Sequence, residues 1–301
     1  MRKAKATAAV IVAAVCFFTG IIAAASDSGS TARQDPASQA QQRRFIKEIV
    51  LPPQLEAEKP ATLAVLDTEG HLLPGVTVDL PEGRHVITDS TGRARFVVTS
   101  APGRFAADIS IGSGSIGAVI ATADVIVGFS ASSTDITISQ LPRFAELGGR
   151  IEVRGAGFRG DADMNKVFIA GQPSLVLAAS PVSLVVTPGL NAVPGDAVLE
   201  IGVGARRTKP AVVTLVSLTV DPQAIPIVEG KKNQLVISVR GTEQKLMLAI
   251  ENRTPDVIQL TGGDIQLVKS TGGRRNRAVI DMRALRATDF SVSVKLAPGG
   301  P

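Results

Sequence analysis

The chain has 301 residues, enough for two or three domains at about 100 to 200 residues each. It contains no Trp or Tyr and only ten Phe, so its cores must be built mainly from Val, Ile and Leu, whose branched side chains favour strands. The formal net charge is +5, and such a small basic excess gives no reason to expect a nucleic-acid partner.

The N-terminal segment has the three parts of a secretory signal peptide. Arg2, Lys3 and Lys5 precede an apolar run over residues 8–25, which ends in three alanines. We expect cleavage after Ala25 and export to the periplasm, the cell surface or the extracellular space. If the run is not cleaved, its roughly 18 apolar residues can anchor the chain in a membrane as a helix. No other membrane contact is predicted.

Loss of residues 1–25 would leave a nearly neutral chain without a thiol. It removes three basic residues and lowers the formal charge from +5 to +2. It also removes Cys16, the only cysteine, so the mature chain would have no disulfide, no thiolate zinc site and no cysteine nucleophile.

Residues 26–57 are predicted to form a flexible spacer. They are rich in Ser, Asp, Gly and Gln, a composition too polar to bury a core. An apolar burst over residues 45–51, before Pro52 and Pro53, is the exception and would suit an edge strand that docks onto a later domain.

From Ala61 onward, short alternating segments separated by turns predict strands with one buried face. The order V-x-D-x-x-G-x-x-L-P-G-V-x-V from Val65, followed by T-D-S-x-G-R-A-x-F from Thr88, resembles the carboxypeptidase-regulatory-like domains. The resemblance covers residues 58–129. It implies a small, non-catalytic, extracellular β-sandwich that stands beside other domains.

Gly155-Ala-Gly-Phe-Arg-Gly160 has the G-x-G-x-x-G spacing of a dinucleotide-binding loop. That loop requires a helix directly after it, because the pyrophosphate sits on the helix N-terminus. The following residues, Asp161-Ala-Asp-Met-Asn-Lys, read instead as a polar loop before a strand. We therefore predict a turn between two strands, with Ile151, Val153 and Phe158 pointing into a sandwich core.

Residues 135–214 resemble the IPT/TIG immunoglobulin-like family. The resemblance rests on Gly148-Gly149, on the alternating strand that leads into Gly155-x-Gly157-Phe158, and on the strand-like segments at 167–171, 185–188 and 195–201. Members of that family form β-sandwiches in cell-surface receptors, in secreted bacterial proteins and enzymes, and in dimerisation regions of some transcription factors. The resemblance implies an envelope or secreted setting, and the lack of disulfide cysteines suggests a bacterial type.

Residues 215–301 continue with strand candidates at 235–239, 245–250 and 290–296, and with Gly-rich loops at 261–263 and 271–273. Residues 281–286 read as a single helical turn. We expect another immunoglobulin-like sandwich of unassigned family. The predicted fold class is therefore all-β, with tandem immunoglobulin-like β-sandwiches behind a signal helix and a flexible spacer.

Several motifs suggest sites but lack required parts. His71 and His85 would need carboxylates such as Asp67 or Glu69 to hold a metal, since no cysteine is available. Asp161-x-Asp163-x-Asn165 has the first spacings of a calcium loop, but Lys166 replaces the glycine at the sixth place and no Glu closes the loop. Arg159-Gly160-Asp161 matches the integrin-binding tripeptide, a three-residue match that arises often by chance. No metal or other cofactor is predicted.

The basic loop Arg274-Arg275-Asn276-Arg277 is the preferred surface candidate, with Arg274, Arg275 and Arg277 able to meet anionic groups of a partner. No nucleophile and base are recognisable, and no serine lies on a G-x-S-x-G elbow. The sequence predicts a non-enzymatic exported protein that binds a protein partner or a cell-envelope component, in interaction, scaffolding or adhesion. The alternative is an accessory module that binds a glycan or an anionic polymer.

Overall fold

The computed structural model describes residues 46–109, 119–127, 135–220, 229–230 and 232–297. The predicted signal segment, residues 26–45 of the predicted spacer and residues 130–134 between the first two predicted domains lie outside these ranges. Within them the chain forms strands and two short 3-10 turns, which confirms the all-β class. The same ranges hold no helix with the length and apolar character needed to cross a bilayer.

The first sandwich has eight strands in two sheets. They are β1 (Ile46–Val50), β2 (Gln54–Glu56), β3 (Pro60–Asp67), β4 (Thr77–Leu80), β5 (Arg84–Ile87), β6 (Arg93–Val97), β7 (Gly103–Ile109) and β8 (Val119–Ile126), with a 3-10 turn, η1, at Pro81–Gly83. One sheet has the order β1-β3-β6 and the other has the order β2-β8-β7-β4-β5. Phe96 and Phe105, one from each sheet, stack in the core with their ring centroids 5.5 Å apart.

The spacer prediction is wrong at its C-terminal end. Strands β1 and β2 lie inside residues 46–57, and Ile46, Ile49 and Leu55 are buried in the first core. Strand β1 pairs antiparallel with β3, and β2 pairs parallel with β8. The apolar burst before Pro52 and Pro53 therefore joins the sandwich as an edge strand, because it has enough apolar surface to fill one end of the core.

The second sandwich has nine strands, and the last of them, β17, continues beyond it. They are β9 (Thr137–Gln140), β10 (Phe144–Glu146), β11 (Ile151–Ala156), β12 (Lys166–Ile169), β13 (Gln172–Ala179), β14 (Ser183–Thr187), β15 (Gly195–Val203), β16 (Arg206–Arg207) and β17 (Ala211–Val220), with a 3-10 turn, η2, at Ala162–Met164. One sheet is β9-β11-β14-β13, and the other is β13-β12-β15-β17. Strand β13 belongs to both.

The third sandwich starts from the second half of β17. Its further strands are β18 (Lys232–Arg240), β19 (Met247–Asn252), β20 (Ile258–Leu260), β21 (Ile265–Lys269), β22 (Arg277–Ala284) and β23 (Val292–Leu296). The sheets are β17-β18-β22-β20 and β21-β19-β23, and they enclose a third hydrophobic cluster. The strand predicted at 235–239 is confirmed as part of β18. Those predicted at 245–250 and 290–296 are confirmed apart from their first two residues, which precede β19 and β23.

The helical turn predicted at residues 281–286 is wrong. Residues 277–284 form β22, in which Ala278, Ile280, Met282 and Ala284 are buried and the residues between them are exposed. This alternation has the period of a strand with one face on a core. Seven consecutive pairs with β18 hold the strand in register.

Candidate functional site

The glycine motif of the second sandwich folds as a turn and not as a phosphate-binding loop. Ile151, Val153 and Phe158 are buried in the second core, and only the three-residue turn η2 follows, which confirms the prediction. A Cβ on Gly155 would lie 1.9 Å from the carbonyl oxygen of Thr137, so the glycine permits close packing against the neighbouring strand.

Gly160, the last glycine of the motif, lies against the first sandwich. A Cβ there would come within 1.9 Å of the Pro60 carbonyl oxygen. Beside it, the hydroxyl of Thr62 donates to the Gly160 carbonyl oxygen at 2.6 Å and accepts from the Ala162 N–H at 3.3 Å. The loop over residues 155–165 is thus one part of the contact between the two sandwiches. We call the whole contact, which also includes the pairing of Thr62 in β3 with Ala179 in β13, the first junction.

The calcium-like residues of that loop have structural roles. Asn165 is buried, and its side-chain amide bonds to the backbone N–H and carbonyl of Arg159 and to the carbonyl of Asp161. The Asp161 carboxylate pairs with Arg95 at 3.0 Å, and the Asp163 carboxylate pairs with Arg93. The carboxylates that suggested a cation site therefore face arginines of the first sandwich. The tripeptide 159–161 belongs to the same junction, with Gly160 buried in it.

The two histidines lie in different settings. His71 stands in a turn with Asp67 and Glu69, and the potential ligand atoms of the three residues lie within 4.8 Å of one another. The Asp67 carboxylate also closes the turn by accepting hydrogen bonds from the backbone N–H groups of Glu69 and His71. His85, on β5, instead bonds Asp79 across the hairpin at 2.7 Å.

Hydrogen bonds set the protonation of the two turn aspartates in the first sandwich. Burial acts to raise the pKa of Asp67, but the backbone N–H groups of His71 and Glu69 outweigh it and lower the pKa below its ordinary value. At Asp89, a hydrogen bond from the Thr91 hydroxyl lowers the pKa despite partial burial. Both carboxylates therefore stabilise turns in their ionised form.

The basic loop of the third sandwich holds its arginines outward. Arg274, Arg275 and Arg277 are exposed, whereas Asn276 between them is buried. The amide of Asn276 donates to the carbonyl of Gln244 at 2.7 Å and accepts from the Gly272 N–H at 2.9 Å. The loop is therefore fixed at its centre. Arg274 lines an open cleft of about 630 Å³ that also includes Asp196 and Thr214 of the second sandwich and Arg240 and Glu243 of the third.

A second cleft, which no sequence motif indicates, lies beside the first junction. It has a volume of about 280 Å³, and we call it the junction cleft; its lining residues include Arg93, Asp163, Lys166, Phe168, Ser174 and Leu175. The Arg93 side chain is only 9% exposed. Among the residues that the structure describes, neither its Nε atom nor the Ser174 hydroxyl, both of them buried, has a hydrogen-bond partner. Arg93 lies far in sequence from the other lining residues, which all fall within 162–176, so no local motif could have joined it to them.

Comparisons with known proteins give similarity of fold only. No protein-family model matches the chain, and no curated protein matches it. The solved structures similar to it include the Bacteroides ovatus mixed-linkage glucan utilization locus protein SGBP-B in complex with a mixed-linkage heptasaccharide (12% identity, TM-score 0.30, 87% of this chain and 76% of that one). Another is the plexin A4 full extracellular region (14% identity, TM-score 0.28, 84% of this chain and 23% of that one).

A third similar structure is the γ-CGTase from alkalophilic Bacillus clarkii, at 12% identity and a TM-score of 0.26, covering 81% of this chain and 36% of that one. Matches at this level place the chain in none of these families.

Proposed function

We propose that this chain is a non-enzymatic exported protein that mediates protein interaction, scaffolding or adhesion at a bacterial cell envelope. The observation that carries the proposal is a path of hydrogen-bonded strands that runs from the first sandwich through the second into the third. Such a path fixes the loops of three sandwiches relative to one another, which suits presentation of a surface to a partner.

We further propose that residues 58–129, extended to include β1 and β2, form a carboxypeptidase-regulatory-like domain. Residues 135–214 would form an IPT/TIG domain, and residues 215–301 a domain of unassigned family. The turn chemistry at Asp67 and Asp89 and the close packing of Gly155 support the first two assignments. N-terminal sequencing of the exported protein tests the setting. A mature chain that begins at Ser26 is expected, and a retained apolar segment would show that the protein is anchored.

Capture from envelope fractions tests the partner class. The full chain is immobilised and exposed in parallel to solubilised envelope proteins and to purified cell-wall polysaccharide. We expect a protein to be retained specifically. Retention of polysaccharide that does not weaken with salt would contradict the scaffolding proposal, because a purely electrostatic contact is screened by salt.

The second candidate is binding of a glycan or an anionic polymer, and the exposed Arg274, Arg275 and Arg277 favour it. Guanidinium groups on a fixed loop suit carboxylate or phosphate groups. Replacing all three arginines with Gln would abolish polymer binding if this loop carries it. Unchanged binding would exclude the loop as the site.

A further inference from the structure

We propose that the junction cleft binds a carboxylate of an acidic peptide segment of a protein partner. This inference rests on the proposed function, because it gives the chemistry of one partner surface. The cleft lies beside the loop 155–165 and is lined by residues of the second sandwich together with Arg93 of the first. The Arg93 guanidinium therefore belongs to the cleft only while the first junction is closed.

The first argument is the pair of polar atoms without partners. Arg93 uses one terminal nitrogen to bond Asp163, but its Nε–H finds no acceptor. The Ser174 hydroxyl is likewise unpaired, and Ser174 lies opposite Val167 where β13 pairs with β12. Buried polar groups are nearly always satisfied by protein, water or ligand. Both atoms are covered in this arrangement, so a rotation of the Arg93 or Ser174 side chain would bring its donor to an oxygen-bearing group in the cleft.

The second argument is charge. Arg93 and Lys166 line the cleft, and Arg207 lies over the ring of Phe168 with its guanidinium carbon 5.8 Å from the centroid. Asp163 is the acidic residue of the lining. Its carboxylate is paired with Arg93, and one carboxylate oxygen lies 3.8 Å from a terminal nitrogen of Arg95. The positive charges of Arg93 and Lys166 exceed the one negative charge of Asp163, so the net charge of the lining favours an anion. A carboxylate matches both a guanidinium N–H and a hydroxyl donor.

The third argument separates a peptide from a polysaccharide. The volume of about 280 Å³ is near the lower limit of ligand pockets, which suits one side chain better than a sugar chain. Most of the remaining lining residues are apolar, and Leu175 among them is exposed. Sugar sites usually offer an open aromatic face. Here Arg207 covers a face of Phe168, the aromatic residue of the lining.

The test uses the full chain and three fluorescently labelled probes in an anisotropy titration. The probes are a short peptide of alternating Glu and Ala, the same peptide with Gln in place of Glu, and an oligogalacturonate. We expect the Glu peptide to bind at least about tenfold more tightly than the Gln peptide, because charge-assisted hydrogen bonds are lost. Tighter binding of oligogalacturonate would overturn the peptide assignment.

Two variants and a matched control locate the binding. Lys166→Gln removes an exposed charge at the cleft, and Ser174→Ala removes the unpaired hydroxyl, so both should fold. Each should weaken binding of the Glu peptide by about three- to tenfold. Lys269→Gln makes the same charge change at an exposed position of the third sandwich, outside the basic loop, and should leave it unchanged. Equal weakening by Lys269→Gln would show nonspecific attraction and overturn the site.

Absence of binding by all three probes would also overturn the site, with the fold checked by circular dichroism. Capture of a protein partner by the wild-type chain would still stand in that case. Loss of both binding and partner capture would count against the proposed function as well.

Discussion

The two contacts between neighbouring sandwiches are built in different ways. At the first junction, side chains and one glycine of the second sandwich meet residues of the first that lie far away in sequence, as in the bond from Thr62 to Gly160. At the contact between the second and third sandwiches, which we call the second junction, the strand β17 runs through both. Its Leu215 is buried in the second core and its Val216 in the third.

The first junction combines apolar and polar contacts. A separate cluster of buried residues fills it, formed by Val50, Ala64 and Leu66 of the first sandwich and Leu177, Ala178 and Val185 of the second. Around it, the hydroxyls of Ser180 and Ser183 both donate to the Gln54 carbonyl at 2.6 Å, and Arg150 pairs with Glu48 at 2.6 Å. One backbone pair, Thr62 with Ala179, joins β3 to β13 across it, and the two cores share no strand. We therefore expect this interface to open, when it is damaged, while both cores remain intact.

The second junction cannot open in that way. Strand β17 pairs with β15 through residues 211–215 and with β18 through residues 217–220. Separation of the second and third sandwiches would remove a strand from one of the two sheets. We therefore predict that a disruptive mutation at the second junction lowers the stability of both the second and the third core. A disruptive mutation at the first junction should instead separate the first sandwich from the second.

The largest effect is expected from Gly241→Ala at the second junction. Gly241 has φ +98, and a Cβ there would lie 2.2 Å from the Leu215 carbonyl oxygen. Strain and clash together should cost about 2 to 4 kcal/mol of the free energy of unfolding. Differential scanning calorimetry should show lower transitions for the second and third sandwiches. Gly263→Ala is the control, since Gly263 has φ +101 but open space around it. A shift of one transition alone would contradict the shared-strand interpretation.

Gly160→Ala should have the next largest effect, of a different kind. The added Cβ would meet the Pro60 carbonyl, but the first junction can relieve the clash by opening. We expect a larger radius of gyration in small-angle scattering and an interface loss of about 2 kcal/mol. Gly202→Ala is the matched control, because a Cβ on Gly202 would lie at an ordinary contact distance of 3.7 Å from its nearest atoms, the carbonyl oxygens of Arg206 and Lys166. If the radius of gyration were unchanged and the unfolding transition of the first or second sandwich fell strongly, the first junction would be unable to open, like the second.

A smaller effect at the same place is expected from Thr62→Val, which keeps the shape of the side chain and removes its hydroxyl. The Gly160 carbonyl and the Ala162 N–H would both lose a buried partner. The cost should be about 1 to 2 kcal/mol, measured by urea unfolding followed by circular dichroism because the chain has no Trp or Tyr. Thr62→Ser keeps the hydroxyl and should recover most of the loss. Equal losses in the two variants would show that the hydroxyl does not matter.

The local structure could be predicted well from the sequence where a residue pattern is set by burial against a single core. The alternation through Ile151 and Val153 and the polar stretch after Gly160 were enough to predict a turn and to exclude a helix. The same signal was present over residues 277–284, where alternation predicts a strand. The prediction of a helical turn there followed the helix propensity of Met, Arg, Ala and Leu. Burial of alternate side chains against the third core outweighs that intrinsic propensity, and the segment forms a strand.

The junctions could not be predicted, because each of their residues has an ordinary local explanation. Asp161 and Asp163 resemble cation ligands, and Arg93 and Arg95 resemble exposed strand residues. Only the fold brings the arginines to the aspartates. The junction cleft has the same origin, since Arg93 and Ser174 are 81 positions apart in the chain. Without pairing information, neither the spacing nor the composition connects them.

The smallest effect concerns a polar group at the second junction. Burial raises the pKa of the Glu146 carboxyl, and the charge of Lys295 on β23 offsets part of that rise. Glu146 lies opposite Val216 in the pairing of β10 with β17. Because the pKa is raised in the folded state, the contribution of this group to stability is fully present below its unfolded pKa. It is lost as the pH rises through the folded value.

Glu146→Gln stays neutral, so it should leave the unfolding free energy unchanged in acid and raise it at neutral pH. The gain should be less than about 1 kcal/mol, because the half-buried carboxylate is partly screened by solvent. Urea unfolding at both pH values measures it, with the exposed Glu152→Gln as the matched control for charge. A loss of stability at neutral pH would mean that the attraction to Lys295 outweighs burial. The second junction would then depend on paired side chains as the first one does. The remaining difference between the two junctions would be that only the second is crossed by a shared strand, β17.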